Sequence, residues 1–311
     1  MPVAWPEEVD EILAGDACAA FTYLTPAKGA VVTPMAPLGI RDREAGTVTV
    51  STSQGLWKKL ERVRANPSVA IAYHAREHGF TDRAEFVLVQ GEGTFPIEPP
   101  REWLEALGPA WEKFLGNRKE SGPAARWLEV YYWQRVPITV DVKRVLVWPD
   151  LTCTGDPVVH GEPLPEPAPP QKLPKNGTGP RVDATKAGDL VASLPHSLLA
   201  WAGADGLPMT VSAGVNGSSE AGIGIDLPAI VPAGGRRAGL TGHKFGAQMI
   251  GQEQRIHTGW LEAGEGSGTY APHTKAGVKL PPSRAFFTFA AGVGTRMGIG
   301  KARERGLAPA R

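Results

Sequence analysis

The chain repeats itself. Ala27-Lys28-Gly29 before AVVTP is matched by Ala204-Asp205-Gly206 before LPMTV, and Glu44-Ala45-Gly46 before TVTV by Glu220-Ala221-Gly222 before IGID. Further on, SVAIAYHAREHG answers to RAGLTGHKFGAQ, which sets His74 opposite His243, and EFVLVQGEGTF answers to EQRIHTGWLEA. A turn-and-strand order that recurs in this way restricts the chain to two copies of one unit. The runs are short and β-type, and 38 glycines and 29 prolines among 311 residues supply many turns. Each copy is therefore expected to be a barrel or sandwich with peripheral helices, and the length suffices for two separate cores.

In the first copy, Glu7 to Ala14 reads as a short helix, with Val9, Ile12 and Leu13 on one face. AAFTYL and AVVTPM flank the Pro26-Gly29 turn and form a hairpin signal. EFVLVQGEGTF and ITVDVKRVLVW read as later strands, and helices are expected at Pro100–Leu115 and Ala124–Gln134. The spacing of Trp103, Leu107, Trp111 and Leu115 marks a core-facing stripe. The Pro- and Gly-crowded stretch after Asp150 lacks apolar periodicity, so the domains are expected at 1–150 and 181–311 with a linker at 151–180.

The most chemically suggestive stretch is Thr47 to Ala75. Val48 and Val50 alternate with hydroxyl residues, and the strand ends in Ser51, Thr52 and Ser53. Leu56, Leu60 and Val63 then form one helical stripe, with Lys58, Lys59 and Arg62 set on the other side. Asn66-Pro67 ends the helix, and Val69, Ile71 and Tyr73 resume an alternating strand. Hydroxyls, free N–H groups at a helix start and nearby cations make a seat for an anion, best a phosphate. The same pattern also describes a capped surface helix with a solvated charged face.

This order, with Ser51-Thr52, Lys59-x-x-Arg62, Asn66-Pro67 and then SVAIAYHA, resembles the flavin-phosphate segment of the pyridoxamine phosphate oxidase-like, FMN-binding split-barrel family. The resemblance runs from Glu8 to Asp150. It implies two tandem split β-barrels forming an intrachain pseudo-dimer, monomeric or paired again as a homodimer. It further implies FMN or coenzyme F420 in a groove between barrels and hydride transfer to or from a small organic substrate. By the same resemblance Ser51, Thr52, Ser53, Lys58, Lys59 and Arg62 would hold the phosphate. Thr33, Pro34 and Met35 would lie near the ring, and Gln90 would reach a cofactor held by the neighbouring barrel. Plain strand packing for the first three and a solvent-facing Gln90 are the alternatives.

The second copy departs from the first where the basic helix should be. It offers IDLPAIVPAGGRRAG, whose prolines and glycines do not make that helix, and the hydroxyl cluster becomes Leu227-Pro228-Ala229. Arg236 and Arg237 remain as candidate phosphate ligands, but the expectation is one competent groove and one degenerate one. The alternative function is a flavin- or haem-binding protein without turnover, a carrier, sensor or scavenger, with His243 or His257 as an axial ligand. A ligand-free structural remnant is a third reading.

Gly292 to Gly298 has the wrong spacing for a dinucleotide fingerprint, and the last residues, rich in Lys and Arg, read as a solvated basic end or a cover for an anionic cofactor. A net charge of +1 gives no field for nucleic acid or an anionic membrane. Cys18 and Cys153 lack partners at ligand spacing, which suits a reducing cytoplasm, and the sequence has neither a signal-peptide pattern nor a long apolar span.

Overall fold

Short alternating runs between Gly, Pro and Asp turns become strands throughout the described residues, 2–116 and 130–310 of a computed structural model. The first half contains helix α1 (Glu7–Gly15) and strands β1 (Cys18–Leu24), β2 (Ala30–Met35), β3 (Ile40–Asp42) and β4 (Thr47–Ser53). Helix α2 (Trp57–Ala65) follows, then β5 (Ser68–Ala75), β6 (Phe86–Thr94), α3 (Arg101–Ala106), α4 (Gly108–Leu115), β7 (Arg135–Trp148) and β8 (Val158–Gly161). The second half contains α5 (Ala184–Ala192), β9 (His196–Ala202), β10 (Pro208–Ser212), β11 (Gly214–Ser219) and β12 (Gly222–Asp226). It continues with β13 (Gly234–Lys244), β14 (Glu253–Ala263), β15 (Ser267–Pro272), β16 (Ala276–Lys279) and α6 (Arg284–Glu304).

The two sheets have the same plan. Strands run β2-β1-β5-β6-β7-β4-β3 in one and β10-β9-β13-β14-β15-β12-β11 in the other, all pairs antiparallel. The eighth strand differs, since β8 pairs with β7 whereas β16 pairs with β14. The protein is mainly β, two tandem split barrels forming a pseudo-dimer within one chain. Contacts between the halves are reciprocal, β2 meeting β13 as β10 meets β5, which is the signature of a pseudo-two-fold axis.

β5 is buried on both faces rather than half-buried as its alternation predicts. Val69, Ile71 and Tyr73 enter the first barrel's core, while Ala70 and Ala72 join a core shared with Leu199, Trp201 and Leu240 of the second half. The small alanines let the two sheets approach, and polar bonds cross beside them. Thr22 and Thr210 hydroxyls lie 2.8 Å apart, and Thr241 Oγ1 donates to the Val32 carbonyl at 3.0 Å. His74 Nε2 lies 2.6 Å from His243 Nε2, so the two histidines paired by sequence meet across the axis.

Other expectations change in physical detail. The single helix expected at Pro100–Leu115 is two, because Pro109 in the first turn of α4 lacks the N–H that would continue α3. Leu107 and Trp111 of its stripe are buried with Phe114 and Leu38. Of the second expected helix, residues 124–129 lie outside the described residues. The proline-rich stretch after Asp150 contributes β8, and Gln171 accepts bonds from the Arg237 backbone and side chain, so it is strapped to both sheets. The basic end is helix α6, which packs Ile299 and Ala302 into the first barrel's core. No helix among the described residues is long and apolar enough to cross a membrane.

Candidate functional site

The end of β4, the buried face of α2 and the start of β7 meet at a pocket of about 160 Å³. Ser51, Thr52 and Ser53 sit on its wall because β4 pairs with β7 in a register that puts Ser53 opposite Arg135. Lys59 also lines it and is only 6 % exposed, its Nζ lying 5.3 Å from the centroid of the Phe21 ring. Among the described residues no carboxylate pairs with Lys59 or lines the pocket. Burial, followed by repulsion from Arg135, lowers its ammonium to a pKa of about 8.

Arg135 completes the cationic wall. Its Nε donates to Ser51 Oγ at 2.8 Å and its Nη2 to the Ser51 carbonyl at 2.9 Å, while the guanidinium stacks over Trp111 and Tyr131. Ser51 thereby accepts from arginine and keeps its own hydrogen for another acceptor. Thr52 Oγ1 is buried without a partner among the described residues. Ser53 Oγ is 3.0 Å from Thr295 Oγ1 of α6 and accepts from the Gly55 N–H. It does not cap α2, whose N-cap is Leu56 without a side-chain bond.

The opposite wall comes from the second half, through Met249, Gln252 and Gln254, with Gln254 Oε1 buried and unpartnered. Pro34 and Met35 form the strip between the walls. Tyr131, Leu115 and Phe287 also line it. Helix α6 crosses the loop before α2 at two glycines, and a Cβ on Gly298 would stand 2.0 Å from the Gly55 carbonyl oxygen. Only glycine permits so close a crossing.

The structure thus brings together Pro34, Met35, Ser51, Thr52, Ser53 and Lys59, and leaves four others elsewhere. Thr33 turns away, its hydroxyl donating to the Phe21 carbonyl. Lys58 is exposed beside the Trp57 ring, and Arg62 lies near Tyr23. Gln90 is 1 % exposed in the interface between halves, donating to the Pro208 carbonyl and accepting from Arg144 Nε. Sequence reading missed Arg135 because it lies just before the apolar run that announces β7. Its one signal is being a lone cation at the start of a strand long enough to pair with the hydroxyl end of β4.

The pseudo-two-fold axis generates a second groove, of about 690 Å³. Ser212, Ala213 and Asp226 to Ala229 line it where β2 and β4 residues line the first, and the loop Leu151–Gly155 fills one side. Among the described residues no Lys or Arg lines it, and Asp226 adds a carboxylate. Arg236 and Arg237 are not in it. Arg236 donates to the Ala168 and Ala233 carbonyls, and Arg237 bonds Gln171. His74 and His196 also line this groove. His243 is fully buried against His74, and His257 donates from Nδ1 to the Thr274 carbonyl at 3.0 Å.

No family profile and no curated protein matches the chain. Several solved structures are similar to it, each over about half its length, and they include pyridoxamine 5′-phosphate oxidase-like, FMN-binding and F420 reductase proteins. The conserved hypothetical protein Rv2991 from Mycobacterium tuberculosis is 19 % identical, with a TM-score of 0.36 over 47 % of this chain and 86 % of its own. A pyridoxamine 5′-phosphate oxidase described as putative, from Listeria innocua, is 16 % identical, with a TM-score of 0.33 over 46 % and 98 %. An F420 reductase has the same identity and TM-score over 45 % and 98 %.

Proposed function

We propose that the pocket between the halves seats the phosphate of a flavin or deazaflavin, FMN or coenzyme F420, and that the protein is an oxidoreductase acting on a small organic substrate. One observation carries this reading: a nearly fully buried ammonium, Lys59, has no carboxylate among the described residues and shares its wall with Arg135 and the hydroxyls of Ser51 and Thr52. A buried charge left unpaired is costly, and an anion removes that cost.

The residues fit a phosphate. Lys59 and Arg135 supply the charge, and Ser51 and Thr52 supply hydroxyl donors. At about 160 Å³ the pocket is smaller than a typical cofactor cavity, so the ring would lie along Pro34 and Met35 against Met249 and Gln254, with Phe287 displaced. When bound, such a ring supplies the hydride acceptor or donor, while the protein's part is to position it, to hydrogen-bond it through Gln254 and to exclude water with α6.

The test is a titration of the protein with FMN and with F420, followed by absorbance. Saturation at one equivalent per chain is expected, and hydride transfer is then read as bleaching of the bound ring by a reductant. Lys59→Ala is expected to weaken binding by about 1.5–3 kcal/mol, the range for a charge-assisted bond. Unchanged affinity in that variant, or two tightly held equivalents per chain, would defeat the reading.

A further inference from the structure

The two barrels share a fold but not a core. In the first, β5 faces β6 with Ile71 opposite Val89 and Tyr73 opposite Val87, and all four side chains are buried in apolar contact beneath α1. At the equivalent register of the second, β13 faces β14 with Leu240 opposite His257 and Gly242 opposite Arg255. A tyrosine has become glycine, and two valines have become cationic or ionisable. The result is a cavity of about 260 Å³ under α5, lined by Arg255 and His257, with Asp183, Lys186 and Lys275 around it.

Two polar atoms there are buried without partners among the described residues, His257 Nε2 and Arg255 Nε. His257 is 2 % exposed. Its Nδ1 donates to a carbonyl, so in the neutral ring Nε2 is an acceptor looking for a donor. Arg255 Nε lacks an acceptor among the described residues, and Lys186 and Lys275 are exposed cations at the rim. Asp183 accepts from the Lys186 N–H as the N-cap of α5 and leaves a carboxylate at the cavity rim, while Glu253 already pairs with Arg255 Nη2 at 2.5 Å and with Lys244 and Lys279, so that Arg255 offers the cavity its Nε–H.

We infer that the second barrel binds a small oxyanion that keeps a proton, inorganic phosphate being the type, inside its cavity, with P–O⁻ oxygens toward Arg255, Lys186 and Lys275 and the P–OH donating to His257 Nε2. The demand for both acceptor oxygens and one donor sets the specificity. Sulfate matches phosphate in shape and charge but has no proton at neutral pH, so its oxygen would face the lone pair of His257. A site built around a hydrogen bond rejects the analogue that lacks it. Burial, then the charges of Lys275 and Arg255, hold His257 below the ordinary histidine range, which keeps Nε2 an acceptor at neutral pH.

The test uses the full chain bearing Lys59→Ala, which removes the ammonium of the groove between the halves, so that binding here is read separately from binding there. Phosphate and sulfate are titrated at pH 7.5 while the His257 ring resonances, assigned with His257→Gln, are followed by NMR. The expected result is a saturable shift with phosphate and an affinity for sulfate about tenfold weaker or worse, the margin shrinking at acid pH as His257 takes up a proton and becomes a donor. Arg255→Gln should weaken phosphate by about tenfold, and if that variant does not fold, Lys275→Gln on the exposed rim should weaken it by about threefold. Equal affinity for the two anions at pH 7.5 would remove the P–OH donor to His257, and no saturable His257 shift would show a merely hydrated cavity; either result overturns the proposal.

Discussion

The two grooves related by the pseudo-axis differ in the opposite sense from what size alone suggests. The larger, about 690 Å³, has no Lys or Arg among the described residues and carries Asp226; the smaller, about 160 Å³, has Lys59, Arg135 and a row of hydroxyls. In a dimer of identical chains the two would be equal by symmetry. Joining the copies in one chain lifts that requirement, so one groove can keep a charged wall that is expensive to maintain while the other loses it and remains as packing surface. Charge without a counter-charge, rather than volume, is what singles out a site here.

That contrast can be broken most forcefully by separating the halves. Arg144 is 1 % exposed and binds Gln90, the Pro163 carbonyl and Asp205 of the other half. Arg144→Met leaves those acceptors unpaired and is expected to cost about 3 kcal/mol, read from denaturant midpoints; a smaller loss than 1 kcal/mol would mean the apolar interface alone holds the grooves in shape. Gly298→Val drives a side chain into the Gly55 carbonyl and should cost about 1–3 kcal/mol in thermal unfolding while loosening the smaller groove. If α6 is only a cover, the same variant binds FMN faster; if it builds the seat, binding weakens.

The acidity of Lys59 sharpens the contrast further. A folded pKa of about 8, below the ordinary lysine value of 10.5, means the ammonium form is destabilised by folding, so its contribution to stability improves as pH rises from about 8 toward 10.5. Anion binding runs the other way, since it needs the proton. Phosphate-ester affinity should fall by up to tenfold per pH unit above about 8, and calorimetry in buffers of different ionisation heat should show proton uptake on binding near that pH. Flat affinity between pH 7 and 10 would place the anion away from Lys59. The smallest effect expected is at Asp226→Asn in the larger groove, where FMN affinity should change by less than about twofold. A larger gain would mean that this groove also takes part.

Much of this was legible because it is local. The hydroxyl end of β4, the helix after it and the Asn66-Pro67 stop lie within one short stretch, and the repeat sets His74 and His243 at equivalent positions of the two copies. What sequence concealed depends on what packs where. The spacing leaves Lys59 off the apolar stripe and does not by itself separate a phosphate seat from a solvated face; α2 turns it inward over Phe21 and so buries more than that stripe. Gln90 looked like a cofactor contact; the second sheet covers that face, so it serves the interface instead. Arg135 depends on a strand pairing across more than eighty residues of chain, |i−j| = 84, which no local pattern announces.

The meeting of His74 and His243 has a consequence of its own. His74 Nδ1 faces the Ala72 carbonyl, which only accepts, so that nitrogen carries hydrogen and Nε2 offers its lone pair. The hydrogen between the rings then belongs to His243, whose Nδ1 is bare and unpartnered. Two residues that occupy equivalent places are thus in opposite tautomers. A single hydrogen atom at the axis gives the molecule a front and a back, an orientation that two separate identical chains could adopt only by choosing it at random.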